Sequence, residues 1–199
     1  MSFVLSMGVV EGLSAEQIAG RLEAELGEET ASDSPSGEEA GAGAGPGPPA
    51  VGVHGDGRAV ILDDRDADVP VLEDVRLLAR LSHGTRVVLF ELSERVNCGL
   101  FRVGCWVDGA MAWQIMHCRD VPEAEEYQIL GVAPGIFADM AAPYRAQQAQ
   151  ADAAGEEICY LGEPVVELFV SLTGIHHDLP GWWEDLRYRD LKPIDRASG

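Results

Sequence analysis

Residues 86–118, RVVLFELSERVNCGLFRVGCWVDGAMAWQIMHC, restrict the fold more than any other stretch of this chain. Val88, Phe90 and Leu92 alternate with Leu89 and Glu91. Phe101, Val103, Cys105 and Val107 alternate with Leu100, Arg102, Gly104 and Trp106, and Met111, Trp113 and Ile115 alternate with Ala112, Gln114 and Met116. A period of two is the mark of a strand with one set of side chains on each face. Asp108-Gly109 stands between the second and third runs, and this pair tolerates the positive φ of a two-residue hairpin turn. Asn97 and Gly99 mark a looser turn before it. The stretch therefore predicts a three-stranded antiparallel meander. Both of its faces are fairly apolar, and helices are expected to cover one of them.

The flanking sequence supplies helices and further strands. FVLSMGVV at 3–10 reads as a first strand. Ser14 then suits a helix N-cap, with Gln17 three residues on as in a capping box, and Leu13 and Ile18 are placed for a hydrophobic staple. Ile18, Leu22 and Leu26 form an apolar stripe, and Gly27 suits the stop. RAVILD at 58–63 reads as a strand, and 70–82 as a helix with Leu72, Val75, Leu78 and Leu81 inward. Phe137 and Met140 sit in a short turn of helix. PYRAQQAQADAA at 143–154 has high helix propensity but almost no apolar face, so it is expected to be exposed. ICYL at 158–161 suggests a short strand. Pro164 fits a first helical position, followed by the stripe Val165, Leu168, Phe169, Leu172 and a stop at Gly174. These pieces predict an α+β fold, an antiparallel sheet of about five strands with helices packed mainly on one face. Residues 1–199 are read as a single domain.

Between them, residues 28–56 carry Glu28, Glu29, Asp33, Glu38, Glu39 and Asp56 but no Lys or Arg, and are filled with Gly, Ala and Pro. Such a segment buries too little apolar area to offset its ordering entropy, and it is expected to be a disordered acidic insertion.

Charge narrows the function. The chain has 14 basic and 34 acidic side chains, a formal net of −20. That balance repels phosphate backbones, which argues against a nucleic-acid partner, and it suits a basic protein partner. No apolar stretch reaches transmembrane length and no basic leader precedes the first strand, so a membrane is not expected and the cytoplasm is the expected compartment. Cys98, Cys105, Cys118 and Cys159 form no C-x-x-C pair. Their apolar, strand-like flanks predict buried free thiols in a reducing environment.

Four phrases carry a resemblance. FVLSMGVVEGLSAEQIAGRL, LLARLSHGTRVVLFE, RVNCGLFRVGCWVDGAMAWQI and VELFVSLTGIHHD, in that order, are similar to the opening strand and helix, the strand entry, the meander and the closing helix of a family of small acidic bacterial proteins of unknown function, mainly actinobacterial. The insertion at 28–56 and the Trp-rich end depart from that pattern. The resemblance implies a fold rather than an activity, and through the company such families keep it implies an immunity-protein-like interaction role.

Candidate chemistry is sparse. His176, His177 and Asp178 form the densest polar cluster, but no H-x-x-x-H or C-x-x-C spacing supplies the further ligands a metal needs. His117 and Cys118 are adjacent strand residues that point to opposite faces, so they cannot pair as base and nucleophile. The acidic doublets follow from composition, and the glycines at 41–47 lack the Lys-Ser/Thr of a phosphate loop. No motif implies a cofactor. Trp106 and Trp113 are expected to pack on the sheet, whereas Trp182 and Trp183 are candidate interaction anchors. The reading favoured by the sequence is a non-enzymatic protein that binds a basic partner in the manner of an immunity protein or antitoxin. The alternative is a small hydrolase or ligand-binding protein using His176, His177 and Asp178.

Overall fold

A computed structural model describes residues 4–32, 50–53, 58–63, 72, 74–93, 99–118, 126–156, 161–175 and 187–190. Its centre is one antiparallel sheet. The strands are β1 (Val4–Glu11), β2 (Ala50–Val53), β3 (Ala59–Asp63), β4 (Arg86–Ser93), β5 (Leu100–Val107), β6 (Ala110–Cys118), β7 (Gln128–Gly131) and β8 (Arg187–Asp190). The helices are α1 (Ala15–Ser32), α2 (Val75–Leu81), α3 (Ile136–Ala154) and α4 (Glu163–Thr173). The strand order is β7-β6-β5-β4-β1-β3-β2-β8.

The expected meander is present as β4, β5 and β6. Val107 pairs with Ala110 across a two-residue turn, and Asp108 and Gly109 have φ of 49° and 84°. Positive φ at both central residues matches the right-handed twist of the flanking strands. A bulge between Cys105 and Trp106 pairs Trp106 with Met111 and Cys105 with Trp113. It takes Met111 out of the alternation with Trp113 and Ile115, which is why Met111 is exposed and those two are buried.

The α+β class holds, and the sheet is larger than the five strands expected. The first half, β1-α1-β2-β3-α2-β4 with strand order β4-β1-β3-β2, is the split β-α-β arrangement of ferredoxin-like folds. β1 and β2 run parallel with β3 between them, and β3 and β4 run parallel with β1 between them. The two crossovers start from strands of opposite direction and move in opposite senses along the sheet. Right-handed connections therefore place α1 and α2 on the same face.

Helices cover both faces, not mainly one. Ile18, Ala19 and Leu22 of α1 and Leu77, Leu78 and Leu81 of α2 pack with Val87, Leu89 and Trp106. On the opposite face, Phe137 and Ala141 of α3 and Val165, Leu168 and Phe169 of α4 pack with Val88, Phe90, Val103 and Ile115. The cause is the meander itself. Odd and even positions of β4 are both apolar, and leaving either set in water costs about 25 cal/mol for each Å².

Local signals explain the element ends. Ser14 N donates to Gln17 Oε1 at 2.8 Å and Gln17 N to Ser14 Oγ at 3.3 Å, the reciprocal capping box. Gly27 does not stop α1, which runs on to Ser32. α2 begins later than the periodicity suggests, because Asp74 caps it by accepting from Arg76 N at 2.7 Å. Val75 is consequently exposed rather than inward. Ala50–Val53, inside the expected insertion, is a strand paired with both β3 and β8. Residues 33–49 and 54–56 of that insertion lie outside the described residues, as do 158–160.

Candidate functional site

The α3/α4 layer concentrates exposed charge of one sign. α3 starts where Phe137 N reaches Pro134 O at 2.9 Å and ends at Gly155, whose φ is 71°. It is one continuous helix through Pro143, rather than a short turn followed by a separate exposed helix. Its inner stripe includes buried Phe137, Ala141 and Ala151. α4 carries Pro164 in its first turn and ends at Gly174 in the left-handed region, as its sequence indicates. Phe169 meets Phe90 with ring centroids 5.2 Å apart, which fixes α4 against the sheet.

On the outside, Glu126, Asp139, Asp152, Glu156, Glu163 and Glu167 are exposed. Among the described residues of 126–175, the one basic side chain is Arg145. It is already engaged: its Nε donates to Glu126 Oε2 at 2.6 Å and its guanidinium lies 5.3 Å from the Tyr127 ring centre. Tyr144 Oη donates to Glu167 Oε1 at 2.5 Å and so ties α3 to α4. That hydrogen bond, then burial, then the negative charges of Glu167 and Glu163 push the Tyr144 hydroxyl up to about 12. Glu163 and Glu167 stand one turn apart on α4. Like charges at this spacing disfavour a helix by roughly 0.2–0.5 kcal/mol, and α4 contains no basic residue to offset them.

The opposite layer is mixed in sign. Arg21 donates to the carbonyls of Leu81 and His83, each at 3.0 Å, and joins α1 to the end of α2. Arg76 and Arg80 lie on α2 beside Asp74, and Glu16 and Glu23 on α1.

Three further polar groups lie within the sheet. Glu91 is 1% exposed and forms an ion pair with Arg102, its partner across β4 and β5. Arg86 pairs with Glu11 at 3.2 Å and places Nε 3.4 Å from Cys105 Sγ. Burial would lower the Arg86 guanidinium, but the Cys105 contact and the Glu11 charge outweigh it and raise it. His117 is buried with Nδ1 2.8 Å from the Glu126 carbonyl, packed between Phe101 and Tyr127. Its neighbour Cys118 pairs with Leu100 and is partly exposed, so only Cys105 of the two described thiols is fully buried. Trp106 and Trp113 are both buried, on opposite faces.

His176, His177, Asp178, Trp182 and Trp183 lie outside the described residues, as do Cys98 and Cys159. The last described residue before them is buried Ile175, whose N–H donates to Thr173 Oγ1 at 3.2 Å. Among the described residues, no set of three or more His, Cys, Asp or Glu side chains is placed to hold a metal ion, and no helix is long and apolar enough to cross a membrane. No protein-family model matches the chain, and no curated protein or solved structure is significantly similar to it. The acidic layer escapes sequence reading because it requires knowing that α3 and α4 stack on one face. Its signal in the sequence is the near absence of Lys and Arg from 126–175.

Proposed function

We propose that the chain is a non-enzymatic interaction protein whose α3/α4 layer binds a basic protein partner, in the manner of an immunity protein or antitoxin. The observation that carries this reading is the imbalance of residues 126–175, six exposed carboxylates against Arg145, which is already paired with Glu126; from outside that range Arg58 reaches the end of α4 at Gly174. Glu163 and Glu167 oppose each other on α4, and a cationic partner placed between them relieves that repulsion. Complementary charge also speeds encounter, more than it raises affinity. The similarity of four sequence phrases to a family of small acidic bacterial proteins supports the same reading.

The test compares faces at equal charge. A partner is first captured by cross-linking in native lysate and identified. Its association is then followed with two double variants. One neutralises Glu156 and Glu163; the other neutralises Glu16 and Glu23 on α1. The reading expects the first to slow association far more than the second, and the difference to shrink as salt rises. Equal slowing by both variants assigns the effect to overall charge and removes the α3/α4 face. A partner of acidic or neutral character removes the proposal itself.

A further inference from the structure

The edge of the sheet beyond β6 differs from the rest of the surface. Among the described residues, β7 is bonded on one side, through the pairs Trp113–Gly131, Gln114–Leu130, Ile115–Ile129 and Met116–Gln128. All four of its residues are exposed. Leu130 is 51% exposed on one face of the strand, Ile129 45% on the other, and Val132, just past the end, 84%. Residues 127–138 contain no charged side chain, in a chain where 24% of residues are charged.

Natural edge strands are blunted by a charge, a proline, a bulge or a cover, because an open row of N–H and C=O groups templates pairing with another chain. β7 has none of the first three. Among the described residues, its shortness and the turn at Gly131, φ 74°, are what limit it. The opposite edge strand, β8, reads RYRD and carries three charges in four residues.

We propose that β7 is a homodimer edge, paired antiparallel with β7 of a second copy about a two-fold axis. Charge selects this occupant. A basic partner finds no carboxylate on 127–138 to pair with. Two copies of a −20 chain repel wherever carboxylates face each other, and they come together with least repulsion at an uncharged segment. A two-fold edge pairing is isologous, so one such segment supplies both halves of the contact.

The neighbouring helix fits the same arrangement. Tyr144 turns one flank of α3 toward α4, while Arg145 turns the other toward Glu126 and Tyr127, at the start of β7. Ala138, Ala142, Ala149 and Ala153 stand seven and three residues before Arg145 and four and eight after it, all exposed. Those spacings share its face. The β7 side of α3 thus carries four exposed alanines, with Arg145 and, seven residues after it, Asp152 as the charged side chains of that flank.

The test is the mass of the full chain in solution by light scattering over a dilution series, for the wild type and for the Ile129→Lys/Val132→Lys variant. Both side chains are largely exposed, so the variant should keep its unfolding midpoint. The wild type is expected to show twice the 21.3 kDa chain mass. The lysine variant should dissociate at a concentration at least about tenfold higher. Raising salt should tighten the dimer, because it screens the repulsion between copies. A wild type that stays monomeric, a dimer unaffected by the lysines, or a dimer loosened by salt overturns the proposal. So does a monomer whose β7 variant loses a different protein partner, since the edge then serves that partner. None of these results depends on the acidic layer, whose binding is expected to weaken with salt.

Discussion

The ion pair between Glu91 and Arg102 offers the sharpest test of the sheet's energetics. Glu91 is 1% exposed, and the Arg102 side chain 13%. Both project on the α1/α2 face, in the row Ser6–Glu91–Arg102–Met116 that crosses β1, β4, β5 and β6. Bringing two charges out of water costs several kcal/mol for each ion, and their attraction offsets it only while both are present. Removing one partner strands the other charge, at a cost of about 3–5 kcal/mol. Replacing both by apolar residues of similar volume is close to neutral. Glu91→Leu and Arg102→Met are therefore each expected to lower the melting temperature by roughly 6–20 °C, at about 2–4 °C for each kcal/mol in a domain of this size. The double variant should recover most of that loss. Urea unfolding of all four proteins gives the coupling energy directly. If either single change costs under about 1 kcal/mol, or if the two losses simply add, the pair is not buried and coupled as described.

Three further outcomes follow from named contacts. Gly131→Ala adds a Cβ that meets the Ala112 carbonyl and lies 3.0 Å from Trp113 Cα, at a φ of 74° that an L side chain disfavours. A loss of about 2–4 kcal/mol is expected from the combined strain and crowding, capped if β7 peels away locally, which faster amide exchange at Gln128–Leu130 would reveal; unchanged stability and exchange would contradict the register. Tyr144, raised to about 12 by Glu167, should contribute stability fully present below its ordinary value of 10.0 and lost as pH climbs through about 12. Ultraviolet titration against Tyr144→Phe should find that late phenol, and Glu167→Gln should bring it down; a Tyr144 that already ionises in the ordinary tyrosine range would contradict the contact. In a variant keeping only Cys105 and Cys118, a thiol reagent should label partly exposed Cys118 quickly and buried Cys105 slowly, and equal rates would place Cys105 wrongly.

What the sequence revealed depended on whether the signal was local. The Asp108-Gly109 turn, the Ser14–Gln17 capping box and the stops at Gly155 and Gly174 act within a few residues, and most could be read directly. β7 could not, because four exposed residues have no buried face and thus no alternation to read. β2 was hidden in a Gly-, Ala- and Pro-rich stretch whose composition predicts disorder, and its pairing with β3 and β8 overrides that preference. The second helical layer was foreshadowed by the apolar character of both meander faces, but only the stacking of α4 on Phe90 shows which residues meet it. At Gly27 the local stop signal lost to continuation of the helix, for which we have no physical account. The polar residues that stood out in the sequence, His176 to Asp178, stood out by density. The acidic layer is assembled from positions up to 41 residues apart, Glu126 to Glu167, so no window of local sequence displays it.

The two proposed surfaces answer a difficulty that the charge of this chain creates. A net of −20 keeps copies apart and attracts cations of every kind, which by itself gives neither a specific partner nor a defined assembly. Specificity needs the charge to be distributed unevenly. Among the described residues, the α3/α4 layer exposes six carboxylates against Arg145 and, at the end of α4, Arg58, while the α1/α2 layer mixes Arg21, Arg76 and Arg80 with its acids, so the proposed basic partner would be steered to one side of the sheet. The uncharged run 127–138 borders that acidic side at the edge, where α3 begins. A second copy paired there would set two acidic layers side by side on one face of a continuous sheet. That arrangement strengthens the field felt by a basic partner and raises the repulsion between copies. Partner binding should therefore stabilise the dimer, and by linkage the dimer should bind its partner more tightly than the monomer. Light scattering with and without the captured partner checks this coupling, and a partner that dissociates the dimer would show that the two surfaces compete rather than cooperate.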